Sequence, residues 1–196
     1  MKLMVNAFSE YAQPVRTRAV EVDLNRLIQD AAELHRAPGG PSIRLQLDAK
    51  LPPVLLDPVQ FRQVFNNLII NAGDAMHEGV ERPTITISTA STEIGGRQWI
   101  EIVVADNGPG FPEALLDRIF DPYVTSKKKG TGLGLAIVYR VIEEHGGRIQ
   151  AENRAGGGAL VRIQIPLQRP SQQPTVAEAD GDEASGERRV AERALS

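Results

Sequence analysis

Two glycine-rich segments about twenty residues apart constrain this chain more than any other feature of its sequence. The first reads Asp-Asn-Gly-Pro-Gly at 106–110, and the second reads Gly-Thr-Gly-Leu-Gly-Leu at 130–135. An asparagine-rich segment at 66–75 precedes both, and its apolar residues recur at helical spacing. Short glycine motifs recur by chance, whereas the ordered set of three is specific, because each segment can provide a different part of one site.

Together these segments provide the parts of a nucleotide site. A carboxylate beside a flexible turn can read a base edge, and a glycine-rich loop that opens a helix can present its amides to phosphates. Side-chain oxygens on one helix face can hold a hydrated magnesium ion. The sequence therefore predicts that the chain binds ATP together with Mg²⁺.

Composition excludes several other classes of protein. With 41% hydrophobic and 24% charged residues, the 196-residue chain resembles an ordinary globular domain with one full core. No apolar run approaches the ~20 residues of a membrane span. The chain has no cysteine, so it has no disulfide framework, thiolate zinc site or cysteine nucleophile, which fits a reducing cytosolic setting. Its net charge of −3 argues against binding to nucleic acid.

Hydrophobic periodicity predicts a mixture of helices and strands. Helical spacing predicts helices at about 1–13, 24–36, 58–76, 112–119 and 133–145. Alternation of apolar and polar residues predicts strands at about 43–47, 54–56, 84–90, 99–105, 147–153 and 159–166. This order predicts an α+β fold, a two-layer α/β sandwich with a mixed, mostly antiparallel sheet and helices on one face, rather than a doubly wound fold.

Three segments follow from this pattern. The helical spacing of apolar residues within 1–16 predicts the C-terminal stub of a longer helix, although a short docking helix would have the same pattern. Residues 17–167 hold all three motifs and predict one nucleotide-binding domain. Residues 168–196 are rich in Gln, Pro, Ser, Glu, Asp and Ala without a sustained apolar period, which predicts a disordered tail.

Asn67, Asn71 and Asp74 share one face of the predicted long helix, at spacings of four and three residues. A polar stripe of this kind is by default a solvated helix face. Asparagine is a poor helix former, however, and other residues would suit solvent better. The functional interpretation is that Asn71 ligates magnesium through its amide oxygen and that Asn67 supports the phosphates.

The two glycine segments contain the other candidate ligands. Asp106 ends an apolar strand, and its carboxylate can accept a hydrogen bond from the exocyclic amine of adenine; an Asx-turn is the alternative interpretation. Gly108 and Gly110 allow close approach of the backbone to the base. The second segment can present its backbone amides to phosphates at the start of a helix, and its candidate ligands are Thr131, Gly132, Leu133 and Gly134. No Lys-Ser/Thr pair follows the last glycine, so the segment is not a Walker A motif.

Between the glycine segments, 120–129 indicates a lid with an aromatic residue followed by three lysines, of which Lys127 is the candidate phosphate contact. A solvated basic loop is the alternative. The three histidines, His35, His77 and His145, have no ligand or triad partner at a recognisable spacing. We therefore expect each of them to be a surface or capping residue.

The motifs in this order resemble those of the catalytic and ATP-binding domain of sensor histidine kinases, within the gyrase, Hsp90, histidine kinase and MutL superfamily. Asn67 to Asn71 resembles the N box, 106–110 the G1 box, Phe120 to Tyr123 the F box and 130–135 the G2 box. The resemblance covers about 20–167. Residues 4–12 also resemble the end of the dimerisation helices in nitrogen-regulation kinases of the NtrY and NtrB type.

The resemblance implies a Bergerat-type ATP-binding fold and transfer of the ATP γ-phosphate to a histidine on a dimerisation domain, then to the receiver domain of a response regulator. It also implies a homodimeric parent protein that is cytoplasmic or anchored in the inner membrane. No acceptor histidine box of the family type occurs in 1–196, so no catalytic residue is assigned in the chain. Many family members carry a basic residue where this chain has Asp74, and Lys127 is the candidate to compensate.

Two other functions share the motifs. An ATPase of the gyrase or MutL type would need a glutamate one helical turn before Asn71 to activate water, and this chain has Asn67 there. A non-catalytic nucleotide-sensing or partner-binding module, similar to an anti-sigma factor, is disfavoured by the intact N, G1 and G2 boxes.

Overall fold

A five-stranded mixed sheet with helices packed on one face dominates the computed structural model, which describes residues 17–76, 79–127 and 130–167. In chain order the elements are β1 (Val20–Val22), α1 (Leu24–Leu34), β2 (Ser42–Gln46), β3 (Val54–Leu56), α2 (Pro58–Ala75), β4 (Thr84–Ile94), β5 (Arg97–Asp106), α3 (Glu113–Leu116), α4 (Gly134–Glu144), β6 (Arg148–Asn153) and β7 (Ala159–Pro166). The strand order in the sheet is β2-β4-β5-β7-β6. Only β2 and β4 run parallel among these neighbours, and β1 pairs with β3 in a separate antiparallel ribbon.

Local sequence signals fix the ends of the helices. The Asp23 carboxylate accepts a hydrogen bond from the backbone N–H of Arg26 and caps α1. Asp57 caps α2 in the same way, and Pro58 occupies the first turn, where its missing N–H costs nothing. Gly146 follows α4 with φ of +67°, the left-handed conformation that ends helices. These boundaries confirm the helices predicted at about 24–36, 58–76 and 133–145.

One hydrophobic core lies between the sheet and the helices. Ile85 and Ile87 of β4 and Ile102 of β5 are fully buried on the helix side of the sheet. Phe61 and Phe65 of α2 are also fully buried and belong to the same cluster. Burial of each such side chain stabilises the fold by about 1.5–3 kcal/mol. The core therefore holds α2 against the sheet and fixes the position of the polar face of α2 relative to the sheet.

The predicted α+β two-layer sandwich is confirmed, with corrections to some elements. The strands β4 and β5 extend to the turn at Gly95 and Gly96, beyond the predicted 84–90 and 99–105. The helix predicted at 112–119 is a single turn, and β1 had no sequence prediction. The predictions for 1–16 and 168–196 lie outside the described residues. None of the described helices is long and apolar enough to cross a membrane.

Candidate nucleotide-binding site

A cavity of about 500 Å³ lies between α2, the end of β5 and the loop that leads into α4. Most of the candidate ligands line it, although they come from segments far apart in the sequence. Those on its wall are Asn67, Asn71, Asp106, Gly110, Lys127, Thr131, Gly132 and Gly134.

Gly108 and Leu133 are the two candidates that do not line the cavity. The backbone N–H of Gly108 donates to Asp106 Oδ1, and a Cβ at this position would lie 3.0 Å from that oxygen. The side chain of Leu133 is buried in the core, 2% exposed. Any contact of these two residues with a ligand would therefore involve the backbone, and their roles stay predictions.

Asp106 presents one carboxylate oxygen to the protein and keeps the other available. The residue is 6% exposed, and its Oδ1 accepts from the backbone N–H groups of Gly108, at 2.8 Å, and Ala159, at 3.1 Å. No donor among the described residues reaches Oδ2. The Asx-turn expected as the alternative is thus present, and it leaves Oδ2 as an acceptor in a residue that lines the cavity.

Apolar side chains form much of the remaining wall. They come from α2, β5, β7 and the segment after the G1 box, and they include Leu68, Ile70, Val104, Phe111, Leu115, Ile119 and Val161. A concave apolar surface with a few polar groups is typical of a small-molecule site, where it can pack against a flat ring. The sequence does not distinguish these residues, because an apolar residue at a helical or strand position has the same pattern whether it faces the core or a ligand.

The polar end of the cavity joins α2 to the first turn of α4. A Cβ at Gly134 would lie 3.4 Å from Asn71 Nδ2 and 3.6 Å from Asn67 Oδ1, so the two asparagines face the helix N-terminus closely. Asn67 Nδ2 is buried and has no hydrogen-bond partner among the described residues. A buried donor without a partner costs about 1–3 kcal/mol, which an acceptor entering the cavity would recover.

Lys127 brings a cation to this polar end. Its Nζ donates to Asn71 Oδ1, at 3.1 Å, and to Asp74 Oδ2, at 2.8 Å. Asn71 and Asp74 therefore share a helix face, as their spacing predicts, and both oxygens face a positive charge. The sequence suggested that Lys127 replaces a basic residue at position 74, and the structure adds that Asp74 itself pairs with that lysine.

The segment that begins with the F box is held in place at its start. The Phe120 ring lies 5.7 Å from the Tyr139 ring of α4. The backbone N–H of Tyr123 donates to Gly132 O at 2.9 Å, and a Cβ at Gly132 would lie 2.5 Å from the Tyr123 carbonyl carbon. Only glycine fits this crossing, where φ is +67°. Lys128 and Lys129 lie outside the described residues.

His145 is the C-cap residue of α4, which was one of the two roles expected for it, but it is buried, at 6% exposure, and does not lie at the surface. Its Nε2 accepts from the backbone N–H of Asp57 at 3.0 Å, and its Nδ1 donates to Val141 O at 2.7 Å. This residue therefore joins the end of α4 to the start of α2. His35 contacts Asn66 through Nε2, at 3.0 Å, and His77 lies outside the described residues.

The Asp57 carboxylate at this junction is also buried and hydrogen-bonded. Burial alone would raise its pKa, but the backbone N–H groups of Arg18, Gln60 and Val59 donate to it, and His145 lies beside it. The net effect is a pKa below the ordinary value of the carboxyl group. No group of three or more His, Cys, Asp or Glu side chains within the described residues can hold a metal ion alone.

Comparison with known proteins identifies relatives of the whole domain. The sensor histidine kinase ZraS of Escherichia coli K12 is 36% identical over 168 residues, which is 84% of this chain and 34% of ZraS. The nitrogen regulation protein NtrY of Azorhizobium caulinodans is 34% identical over 183 residues, which is 89% of this chain and 23% of NtrY. The crystal structure of full-length ShkA in complex with AMPPNP is similar with a TM-score of 0.68 and 28% identity, over 84% of this chain and 34% of ShkA.

The chain spans about a third or less of the length of these relatives. Residues 56–169 match the family described as histidine kinase-, DNA gyrase B- and HSP90-like ATPases. This match covers α2, the residues that line the cavity and the four sheet strands β4 to β7, and the N, G1 and G2 boxes lie within it. The chain therefore belongs to the family of histidine kinase-, DNA gyrase B- and HSP90-like ATPases.

Proposed function

We propose that the chain is the ATP-binding catalytic domain of a two-component sensor histidine kinase. It would transfer the γ-phosphate of ATP to a histidine on a dimerisation domain of the same protein, for relay to the receiver domain of a response regulator. The supporting observation is the polarity of one cavity, which has a free carboxylate oxygen of Asp106 on its wall and Asn67, Asn71 and Lys127 at the start of α4. The AMPPNP bound to ShkA, an ATP analogue, supports ATP as the ligand.

The base end of the proposed site would favour adenine over guanine. Because the two backbone donors occupy Oδ1, Oδ2 of Asp106 is the acceptor available to the exocyclic amine. Guanine carries a carbonyl oxygen at that position, so an acceptor would face an acceptor. Phe111 and the other apolar residues of the wall can pack on the ring faces.

The phosphate end offers donors and one positive charge. Asn67 Nδ2 lacks a partner among the described residues, and Lys127 Nζ already lies beside the cavity. The backbone of 130–134 precedes α4, whose N-terminus favours anions. Phosphate oxygens would therefore find a side-chain amide, an ammonium group and a helix N-terminus within one cavity.

The residues present also fit magnesium at this end. Mg²⁺ prefers oxygen ligands and is usually held by one or two protein groups together with phosphates and water. Asn71 Oδ1 and the Asp74 carboxylate meet a cation in the structure, the ammonium of Lys127. We propose Asn71 as the magnesium ligand, and the ion when bound would neutralise charge on the β- and γ-phosphates. Lys127 would then leave Asn71 and remain paired with Asp74 or move to a phosphate.

Phosphotransfer in trans tests the proposed function. The chain is mixed with γ-labelled ATP, magnesium and the dimerisation domain of its parent protein, and label on that domain is measured. We expect weak labelling, because the missing linkage lowers the effective concentration of the acceptor. Asn71→Ala should abolish the labelling, whereas Asn66→Ala, an asparagine of the same helix that does not line the cavity, should not.

Two outcomes would contradict the proposal. Labelling that survives replacement of the acceptor histidine would show that the phosphate goes elsewhere. Failure of the wild-type chain to bind ATP would remove the site itself.

A role in nitrogen regulation is a narrower hypothesis, because NtrY and ZraS are similar to the chain at nearly the same identity. Labelling of candidate receiver domains by the phosphorylated acceptor would test that role.

A further inference from the structure

The turn between β6 and β7 contacts the loop that carries Asp106 at both ends of that loop. β7 lies between β5 and β6, so the β6–β7 turn comes next to the point where the chain leaves β5. We infer that Asn153 and Arg154, which open this turn, are positioning residues for the base-reading loop at 106–111. The inference rests on the proposed nucleotide function and names residues that support its base end.

Asn153 fixes the far end of the loop. Its Oδ1 accepts from the backbone N–H of Phe111 at 2.7 Å, and its Nδ2 donates to Phe111 O at 2.8 Å. One side-chain amide thus satisfies both backbone groups of a residue that lines the cavity. Gly110 has φ of +83°, and a Cβ there would lie 2.6 Å from Asn153 Oδ1. The backbone of the loop therefore passes close to Asn153, and this close approach requires glycine at position 110.

Arg154 and its neighbours fix the near end of the loop. Arg154 Nη1 donates to the backbone carbonyl of Asp106 at 3.0 Å. The backbone N–H of Ala159, at the other end of the turn, donates to Asp106 Oδ1 at 3.1 Å. These contacts hold the main chain and the carboxylate of Asp106 from one side. They therefore determine the direction in which Oδ2 is available to a base.

The two side chains are not needed to close their own turn. Its backbone bonds do that, from Arg154 N to Gly158 O at 2.9 Å and from Gly157 N to Arg154 O at 3.0 Å. Asn153 and Arg154 also lie at the surface and do not line the cavity. Their side chains thus serve the neighbouring loop, and they would influence a base only through Asp106 and Phe111.

Calorimetry with two ligands tests the inference. The affinity for Mg-ADP depends on the whole site, whereas the affinity for magnesium tripolyphosphate depends on the phosphate end alone. We expect Asn153→Ala and Arg154→Ala each to weaken ADP binding about 5- to 10-fold, which corresponds to the net free energy of about one hydrogen bond, and to leave tripolyphosphate binding unchanged. Arg154→Lys, which retains a cationic donor, should recover most of the affinity. Gln150→Ala, on the exposed face of β6, is the matched control.

A double-mutant cycle separates positioning from general destabilisation. In an Asp106→Ala background the effect of Arg154→Ala on ADP binding should largely disappear, because the carboxylate that Arg154 positions is gone. An unchanged effect in that background, or equal weakening of ADP and tripolyphosphate, would overturn the inference. Equal affinity of the wild-type chain for ADP and tripolyphosphate would instead overturn base recognition, and with it the proposed function.

Discussion

The carboxylate of Asp106 is asymmetric, and this asymmetry permits an isosteric test of base recognition. Asp106→Asn can keep its oxygen as the acceptor for Gly108 and Ala159 while an amide NH₂ replaces Oδ2. The NH₂ group would face the adenine amine donor to donor but could donate to the guanine carbonyl. We expect ADP to bind about tenfold more weakly and the preference over GDP to fall or reverse. Calorimetry with both nucleotides measures this, and an unchanged ratio would remove Asp106 as the base reader.

At the scale of single residues, the sequence predicted side chains that line the cavity better than it predicted their partners. Each of these side chains is a polar residue near a glycine segment or on a helix that also has an apolar face. They are Asn67, Asn71, Asp106 and Lys127. Their pairing could not be read in the same way, because the contact of Lys127 with Asp74 joins residues 53 positions apart. The burial of His145 was missed for the same reason, since its partner Asp57 lies 88 positions away.

At the scale of elements, the segment before the G2 box is tied to α2 by one exposed ion pair. The side chains of Lys127 and Asp74 are 36% and 49% exposed, so the pair contributes at most about 1 kcal/mol. We expect Asp74→Asn to make amide exchange over 120–127 about two- to fivefold faster without nucleotide. Mg-ADP should slow exchange there in the wild-type chain, because phosphate contacts would order the segment.

Hydrogen exchange measured by mass spectrometry checks this prediction. Glu33→Gln is the control, because Glu33 at the end of α1 forms an exposed ion pair with Arg36, and neither residue lines the cavity. Slow exchange over 120–127 in the wild-type chain without nucleotide, unaltered by Asp74→Asn, would contradict a lid.

Elements with strong periodicity could be predicted, and elements defined by pairing could not. The caps at Asp23 and Asp57 and the apolar stripes of α1 and α2 fixed both helices to within about two residues. Beyond Ala90, β4 continues through four residues, none of which is buried, so the sequence there shows no clear apolar alternation. β1 has three residues, and its partner β3 is about thirty positions away. Such pairing depends on the tertiary fold and not on local sequence.

At the scale of the whole molecule, Asp57 joins segments that are far apart in the chain. Its carboxylate accepts from Arg18, before β1, and its backbone donates to His145, at the end of α4. Because the folded pKa lies below the unfolded value, the ionised group stabilises the fold fully above about pH 4. That contribution is lost as the pH falls through the folded pKa. The free energy of unfolding should therefore decrease at acid pH.

The variant Asp57→Asn tests this contribution, because asparagine also caps helices. We expect it to be less stable than the wild-type chain at pH 7 and to show a smaller decrease in stability as the pH falls below about 4. Urea unfolding at several pH values measures both quantities. Asp30→Asn, which removes an exposed charge on α1, is the control. Parallel pH profiles for Asp57→Asn and the wild-type chain would show that Asp57 does not contribute.

From the positions of the carboxylates around the cavity, we expect the molecule to hydrolyse ATP slowly. Within the described part of the chain, Asp74 and Asp106 are the acidic residues on the cavity wall. Asp74 pairs with Lys127, and Asp106 is held by backbone donors at the base end, so neither is placed to activate a water molecule. Asn67, one helical turn before Asn71, cannot act as a base.

We therefore expect ATP hydrolysis by the isolated chain to stay far below about 1 per second, the lower end of ordinary enzyme turnover. Release of labelled phosphate under saturating Mg-ATP measures this, and Asn71→Ala serves as the background for contaminating activity. Fast hydrolysis by the wild-type chain that Asn71→Ala removes would favour an ATPase and contradict the kinase proposal. Slow hydrolysis with tight ADP binding would instead agree with the proposed kinase, in which the γ-phosphate of bound ATP awaits the histidine of a dimerisation domain.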